Sequence, residues 1–249
     1  MAPAARTALI WILVLTGLEI GLRLADVPSY ILPTPSSVVL AFWQQFGWIA
    51  WHSWITVQEI FLGLALAVLC AVVVAVLIQA SPMLHKTLMP LMVAAQASPK
   101  EAVAPLLVMW FGFTMLPKII LAAAIAFFPV LIGIVVGLDR FDRKLRLLAA
   151  SMGMGPVRTF FSFRAWVALP AFMGALRVGI TLAAVGAVLG EVIGSDDGIG
   201  YLVLSASRTM DGALLYASLV ILVALSLGFT AVINRLERWL LPMSGAKTL

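Results

Sequence analysis

Six stretches of about 20 mostly apolar residues, close to residues 7–24, 57–78, 88–113, 119–138, 169–193 and 212–234, constrain this chain more than any other feature. That length crosses a hydrocarbon core of about 30 Å as an α-helix. In lipid every backbone N–H and C=O must be satisfied within the chain, and barrel strands would read as alternating ten-residue segments, so helices are the only option. Composition agrees: 63% of the 249 residues are hydrophobic and 11% are charged, against roughly 45–50% and about 25% in ordinary globular chains. A soluble domain, a disordered chain, a collagen-like repeat and a nucleic-acid-binding module are all excluded. The lone cysteine, Cys70, allows neither an internal disulfide nor a cysteine zinc site. The expected architecture is an all-α membrane protein, a single domain over residues 1–249.

Charges inside the spans are the first candidates for function, because burying them costs several kcal/mol. The fourth and sixth spans carry none. The second carries Glu59, which either snorkels to the nearby interface or lines a pathway. The third is broken by Pro99-Lys100-Glu101, whose two charges stand about 100° apart on a helix. Either both point into a path, or one pairs with Glu191 or Arg177 on the fifth span. Glu191 sits beside the turn-rich Gly194-Ser195-Asp196-Asp197-Gly198, as an exposed cap or as a gate. Glu19 and Arg23, one turn apart, read as a surface pair.

Orientation follows from the positive-inside rule. With the N-terminus inside, the cytoplasmic segments hold Arg6, Lys86, Arg140, Arg143, Lys144, Arg146, Arg158, Arg164, Arg235, Arg238 and Lys247, eleven cations against three outside, Arg23, Lys118 and Arg208. Both termini are expected in the cytoplasm, and the first span is expected to stay uncleaved. Outside, Thr34-Pro35-Ser36 reads as a cap and helix start, followed by Trp43, Trp48, Trp51 and Trp54 as an interfacial belt.

The loop over residues 139–168 is the longest polar stretch. A charged turn, helix formers through Ala150, then Gly153 and Gly155-Pro156 predict a helix, a tight turn and a short helix before re-entry at Leu169-Pro170. Its phenylalanines, Phe160, Phe161 and Phe163, fit a helix lying on the membrane surface as well as they fit a groove on a soluble partner.

Here the residues resemble a known family. Ala149-x-x-x-Gly153, then Pro170 and Gly174-Ala175-Leu176-Arg177, is similar to the signature loop of binding-protein-dependent ABC importer permeases. So are Leu32-Pro33-Thr34-Pro35-Ser36 and Pro99-Lys100-x-Ala102-x-Ala104-Pro105-Leu106. Glu191-x-x-Gly194-Ser195, Gly198-Ile199-Gly200-Tyr201-Leu202 and Leu236-Glu237-Arg238 resemble the nitrate, sulfonate, taurine, bicarbonate and thiamine-pyrimidine-precursor branch. The family's loop glutamate falls on Leu147 and the first of its paired prolines on Trp166, so Asp139 or Asp142 would have to carry any salt bridge made there.

The resemblance implies a type I importer permease fold of six spans with a cytoplasmic coupling helix. It implies a second copy of the chain, cytoplasmic ABC ATPase subunits, and a periplasmic or lipid-anchored solute-binding protein, in a bacterial inner membrane. Membrane lipid is the solvent; no nucleic acid is expected, nor any metal or cofactor of the chain's own. No Gly-x-x-x-x-Gly-Lys-Ser/Thr loop occurs, so ATP and Mg would belong to the partner. Ala149, Ala150, Gly153, Met154, Gly155 and Pro156 are the expected ATPase contact, with Gly153 and Gly155 supplying a turn that other residues would strain. Glu59, Pro99, Lys100, Glu101 and Glu191 are the candidate path or gate for a small polar or anionic solute.

Two rivals remain. A secondary transporter or channel would favour paired interrupted helices, and only one span is interrupted. An intramembrane enzyme would need a catalytic constellation, and the sequence gives no sign that an acidic pair converges with either histidine, His52 or His85.

Overall fold

A computed structural model describes residues 3–240; Lys247, one of the expected cytoplasmic cations, and the last part of the expected 1–249 domain lie outside them. In chain order the helices are α1 (Pro3–Leu24), α2 (Pro35–Gln44), α3 (Phe46–Ala80), α4 (Pro82–Gln96), a 3-10 turn (Lys100–Val103), α5 (Ala104–Phe111), α6 (Met115–Asp139), α7 (Arg143–Ser151), α8 (Pro156–Thr159), a π turn (Phe160–Arg164), α9 (Ala165–Gly194), α10 (Ile199–Arg208) and α11 (Gly212–Leu240). No strand occurs among the described residues. Four helical stretches are long and apolar enough to cross a membrane: Phe46–Gln79, Met115–Asp139, Pro156–Gly194 and Gly212–Leu240.

The core is a sheaf of α3, α6 and α9. Glu59 near the start of α3 meets Lys118 near the start of α6, while Gln79 at the end of α3 meets Asp139 at the end of α6, so these helices run parallel. Helix α9 runs the other way, since Arg164 just before it reaches Gln79. The sheaf thus has a tryptophan-rich end and an arginine-rich end.

Lipid gives no hydrophobic push between helices, so contact must come from close packing of small residues. Ala67, Ala122, Ala126, Ala183 and Ala187 fill the centre and are almost wholly buried. A Cβ on Gly186 would lie 2.6 Å from the Cα of Ala122, and one on Gly133 would lie 2.2 Å from the Cβ of Ala175. These glycines set the interaxial distance. The outward faces are apolar, as lipid requires; Leu69, Leu77, Val223 and Leu227 are all exposed.

The structure adds detail to three places that the sequence singled out or left blank. The third span is two helices: α4 ends at Gln96, Pro99 has φ −73 and ψ 87, and the chain passes through the 3-10 turn before α5. Proline lacks the N–H that a continuous helix would need and pushes the residue before it out of the helical region, so the interruption follows from Pro99 itself. Thr34 does cap α2, its side chain accepting the Ser37 N–H. Past the turn-rich Gly194-Ser195-Asp196-Asp197-Gly198 the chain forms an amphipathic helix that the sequence reading does not foresee, α10, with Ile199, Leu202 and Ala206 buried against Ile49, Leu214 and Ala217.

Gly133→Val is expected to lower the melting temperature of the purified protein in detergent, at a cost of about 1–3 kcal/mol for overpacking. Gly174→Ala, where a Cβ meets nothing within 4 Å, is expected to leave the melting temperature unchanged.

Candidate functional site

At the tryptophan-rich end the sheaf encloses a polar network. Glu59 and Glu191 are 0% exposed and Lys118 4%. Three ionisable groups at that depth persist only if they are paired or hydrogen-bonded. The Lys118 ammonium pairs with Glu59 Oε1 and donates to Ser195 Oγ at 2.9 Å. Glu191 accepts the Thr56 hydroxyl and the Gly200 N–H, both at 2.6 Å. Thr56 Oγ1 also accepts the Ile199 N–H at 2.9 Å, and His52 Nδ1 accepts the Gly198 N–H at 2.9 Å. Three successive N–H groups at the start of α10, which no carbonyl inside that helix can satisfy, therefore end on side chains of α3 and α9. The approach depends on Gly198, at φ +104 with a Cβ position 2.1 Å from Glu191 Oε1. Any side chain there would collide with the carboxylate.

The alternatives left open by the sequence resolve here. Glu59 does not snorkel, and Glu191 is no exposed cap residue: it caps α10 from inside the protein. Lys118, counted as a loop cation, is buried. An acidic pair and a histidine do share one network, contrary to expectation, because helix packing brings His52, Thr56 and Glu59 on α3 against Glu191 on α9. The signal available was charge itself: Lys118 opens an otherwise uncharged apolar run, and a buried cation needs a carboxylate. Beside the network a cavity of about 360 Å³ opens between Trp51, Trp54, Gln58, Thr114 and Asp196.

Midway along the sheaf, Lys100 makes no ion pair among the described residues, so of the two alternatives the pairing with Glu191 is not the one found. Its Nζ lies 4.9 Å above the Phe128 ring and 3.4 Å from the Gln96 carbonyl, in a cavity of about 410 Å³ otherwise walled by apolar side chains such as Leu66, Ala123 and Phe127. Glu101 beside it is exposed. Arg177 pairs with Glu237 of α11 instead. Glu19 and Arg23 do form their surface pair, at 2.8 Å, and both reach Ser36 at the start of α2.

At the arginine-rich end, α7 and α8 project as one loop. Asp142 caps α7, accepting the Leu145 N–H at 2.9 Å. The helix closes with the Gly153 N–H on the Ala150 carbonyl and the Met154 N–H on the Ala149 carbonyl, the paired bonds that end a helix on a left-handed residue. Gly153 is that residue, at φ +66. Gly155 is not strained: its φ of −68 and ψ of 166 suit any residue, so only one of the two glycines expected to shape the turn does so. Ala149 is buried; Ala150, Gly153, Gly155 and Pro156 are exposed and Met154 is half-buried. The loop is tied back to the sheaf through Asp139, which holds Gln79 at 2.8 Å and His85 Nε2 at 3.0 Å, and through Arg164, which donates to Gln79 and to the Leu138 carbonyl. Of the two acidic residues near the position of the missing loop glutamate, Asp139 bonds Gln79 and His85, whereas Asp142 acts as a cap.

Residues 63–243 match the family model described as "Binding-protein-dependent transport system inner membrane component". The chain is 38% identical over 82% of its length to a probable ABC transporter permease protein of Haemophilus influenzae, covering 83% of that relative. It is 30% identical to the formylaminopyrimidine transport permease protein of Halalkalibacterium halodurans, over 96% of each chain. Against the putative aliphatic sulfonates transport permease protein of Bacillus subtilis it is 29% identical over 88% of its length and 80% of the relative's.

Lys118→Met keeps the stem but strands Glu59 in a dry environment, and removing one partner of a buried pair costs about 3–5 kcal/mol. The variant is expected to fall sharply in membrane abundance and melting temperature. Adding Glu59→Leu is expected to recover much of both, because the orphaned charge then disappears with its partner.

Proposed function

The chain belongs to the family of binding-protein-dependent transport system inner membrane components and is a permease subunit of an ABC importer; from that premise we propose how it sits in the membrane, what drives it and what passes through it. It is a multi-pass membrane protein and not itself an enzyme, and its family works with an ATPase and a solute-binding protein. In the proposed arrangement α1 and the interrupted α4–α5 pair complete six spans, the arginine-rich end faces the cytoplasm of a bacterium together with both termini, and the membrane is the inner one. Two copies form the path. ATP and Mg stay on the ATPase, and this chain holds no cofactor.

The α7–α8 loop is the proposed coupling element, with Ala149, Ala150, Gly153, Met154, Gly155 and Pro156 as the contact. The observation that carries this reading is the pair of bonds closing α7 on Gly153. They give the loop one fixed shape, and the Asp139 and Arg164 ties connect that shape to α3, α6 and α9. A load applied by the ATPase then moves helices as rigid bodies, which alternating access requires. A secondary transporter without an ATPase has no comparable support, since the Haemophilus influenzae relative is named as a probable ABC transporter permease protein.

The proposed path or gate residues are Glu59, Pro99, Lys100, Glu101 and Glu191. Irregular backbone at membrane depth is tolerated only where it is covered by protein or lines water, which favours the Pro99 break as part of the path. The unpaired ammonium of Lys100 above it suits a small polar or anionic solute. Relatives named for aliphatic sulfonates, taurine and formylaminopyrimidine fall within that range.

Gly153→Asp disturbs the turn and sets a charge on the proposed contact. Membrane abundance is expected to stay normal while the ATPase is no longer retained in mild detergent and uptake is lost. Wild-type uptake by this variant would remove the loop from the coupling role. Lys100→Met is expected to cut uptake with abundance and ATPase retention unchanged, because no buried carboxylate depends on this ammonium; uptake equal to wild type would take Lys100 out of the path.

A further inference from the structure

The arginine-rich end holds a second feature, a cavity of about 510 Å³ that shares Pro156, Asp139 and Arg164 with the coupling segment. It opens beside the loop, and its wall carries Lys86, Arg146 and Arg164 against a single carboxylate, Asp139. That carboxylate is already engaged by Gln79 and His85. Arg146 and Arg164 spend their Nε–H groups on backbone carbonyls, those of Phe141 and Leu138. Lys86 is exposed and has no acid partner among the described residues. The cavity is therefore an electropositive pocket with donor capacity left over, which is the composition that selects a phosphate.

Phe160 is shared between this cavity and a second one of about 230 Å³, which is almost wholly apolar and is walled by Val72, Val76, Ile134, Leu138, Ala168 and Phe172, among others. The direction of that groove is fixed by the helices. From Gln79 back to Val76 and Val72, from Asp139 back to Leu138 and Ile134, and from Arg164 on to Ala168 and Phe172, each set recedes from the charged end toward the middle of the sheaf. A basic pocket at one end thus continues as an apolar slot that runs into membrane depth.

We propose that the two cavities form one binding site for an anionic phospholipid, its headgroup phosphate held by Lys86, Arg146 and Arg164 and an acyl chain lying in the slot behind Phe160. Neither half alone selects this ligand. A free phosphate has no use for the slot, and a zwitterionic lipid gains little from unopposed cations. Basic pockets between helices close to a membrane surface hold anionic headgroups in this manner. Because Arg146 lies in α7 and Phe160 directly follows α8, an occupied site braces that loop against α3 and α6.

The test uses the full chain, purified and stripped of lipid in detergent. Phosphatidylglycerol is expected to remain bound in native mass spectrometry and to raise the melting temperature, and phosphatidylcholine with the same acyl chains is expected to do neither. Lys86→Gln with Arg146→Gln is expected to weaken phosphatidylglycerol retention by about 30-fold, each basic side chain near an anionic headgroup being worth roughly a factor of five. Both side chains are exposed, so the melting temperature without lipid is expected to hold. Val76→Trp, at a lipid-facing position in the slot, is expected to lower retention with the cations intact. Equal retention of both lipids, retention unmoved by either variant, or stabilisation by inorganic phosphate as strong as that by phosphatidylglycerol would each overturn the proposal, the last by making the cavity a site for a soluble anion.

Discussion

The ion pair between Lys118 and Glu59, sealed beside Glu191 where α3, α6 and α9 meet, is the interaction on which the rest of this structure depends. Apolar helices in lipid have little preference for one rotation over another, since every face is equally content in hydrocarbon. A buried ammonium removes that indifference. Lys118 can be accommodated only if α6 turns it toward α3, and Glu59 only if α3 turns toward α6. Charge therefore fixes rotation and depth, while the alanines and glycines fix distance, down to the 2.6 Å that a Cβ on Gly186 would leave to Ala122.

The two ends of the sheaf are built on different logic. At the tryptophan-rich end the charges face inward and are dry. At the arginine-rich end they face water and carry the ties of Asp139 and Arg164 to the α7–α8 segment. The dry end sets the architecture; the wet end is where contacts with other molecules cost little desolvation, because its cations are largely exposed.

Much of this was legible in the sequence. Long apolar runs announced the helices, Pro99 announced the break, Thr34 the cap of α2, and Gly153 the turn after α7, because each acts on its own neighbours through a local rule. What stayed hidden depends on which helix faces which. Lys118 reads as a loop cation until α3 is laid beside it, His52 and Glu191 are 139 positions apart in the chain, and Lys100 reads as able either to line a path or to pair across spans until Phe128 is seen beneath it. The α10 helix was hidden for a related reason: the glycines around its start are there for contacts with other helices, Gly198 and Gly200 being small to admit the Glu191 side chain and Gly194 lying against Val108. Gly155 erred in the opposite direction, being credited with a strain that its extended backbone does not have.

The start of α10 bears on how the molecule transmits force. A surface helix joined to its neighbours by ordinary loops can tilt on its own, and a push on it is lost as loop motion. Here Gly198, Ile199 and Gly200 are each clamped by a side chain from the sheaf, two from α3 and one from α9. Tilting α10 alone would break three bonds in a place water does not reach, so the helix behaves as a stiff extension of α3 and α9. Pressure on its outer face is delivered directly to the point where those two helices meet, one helical turn from the Glu59 carboxylate, and very little of it is spent on the way.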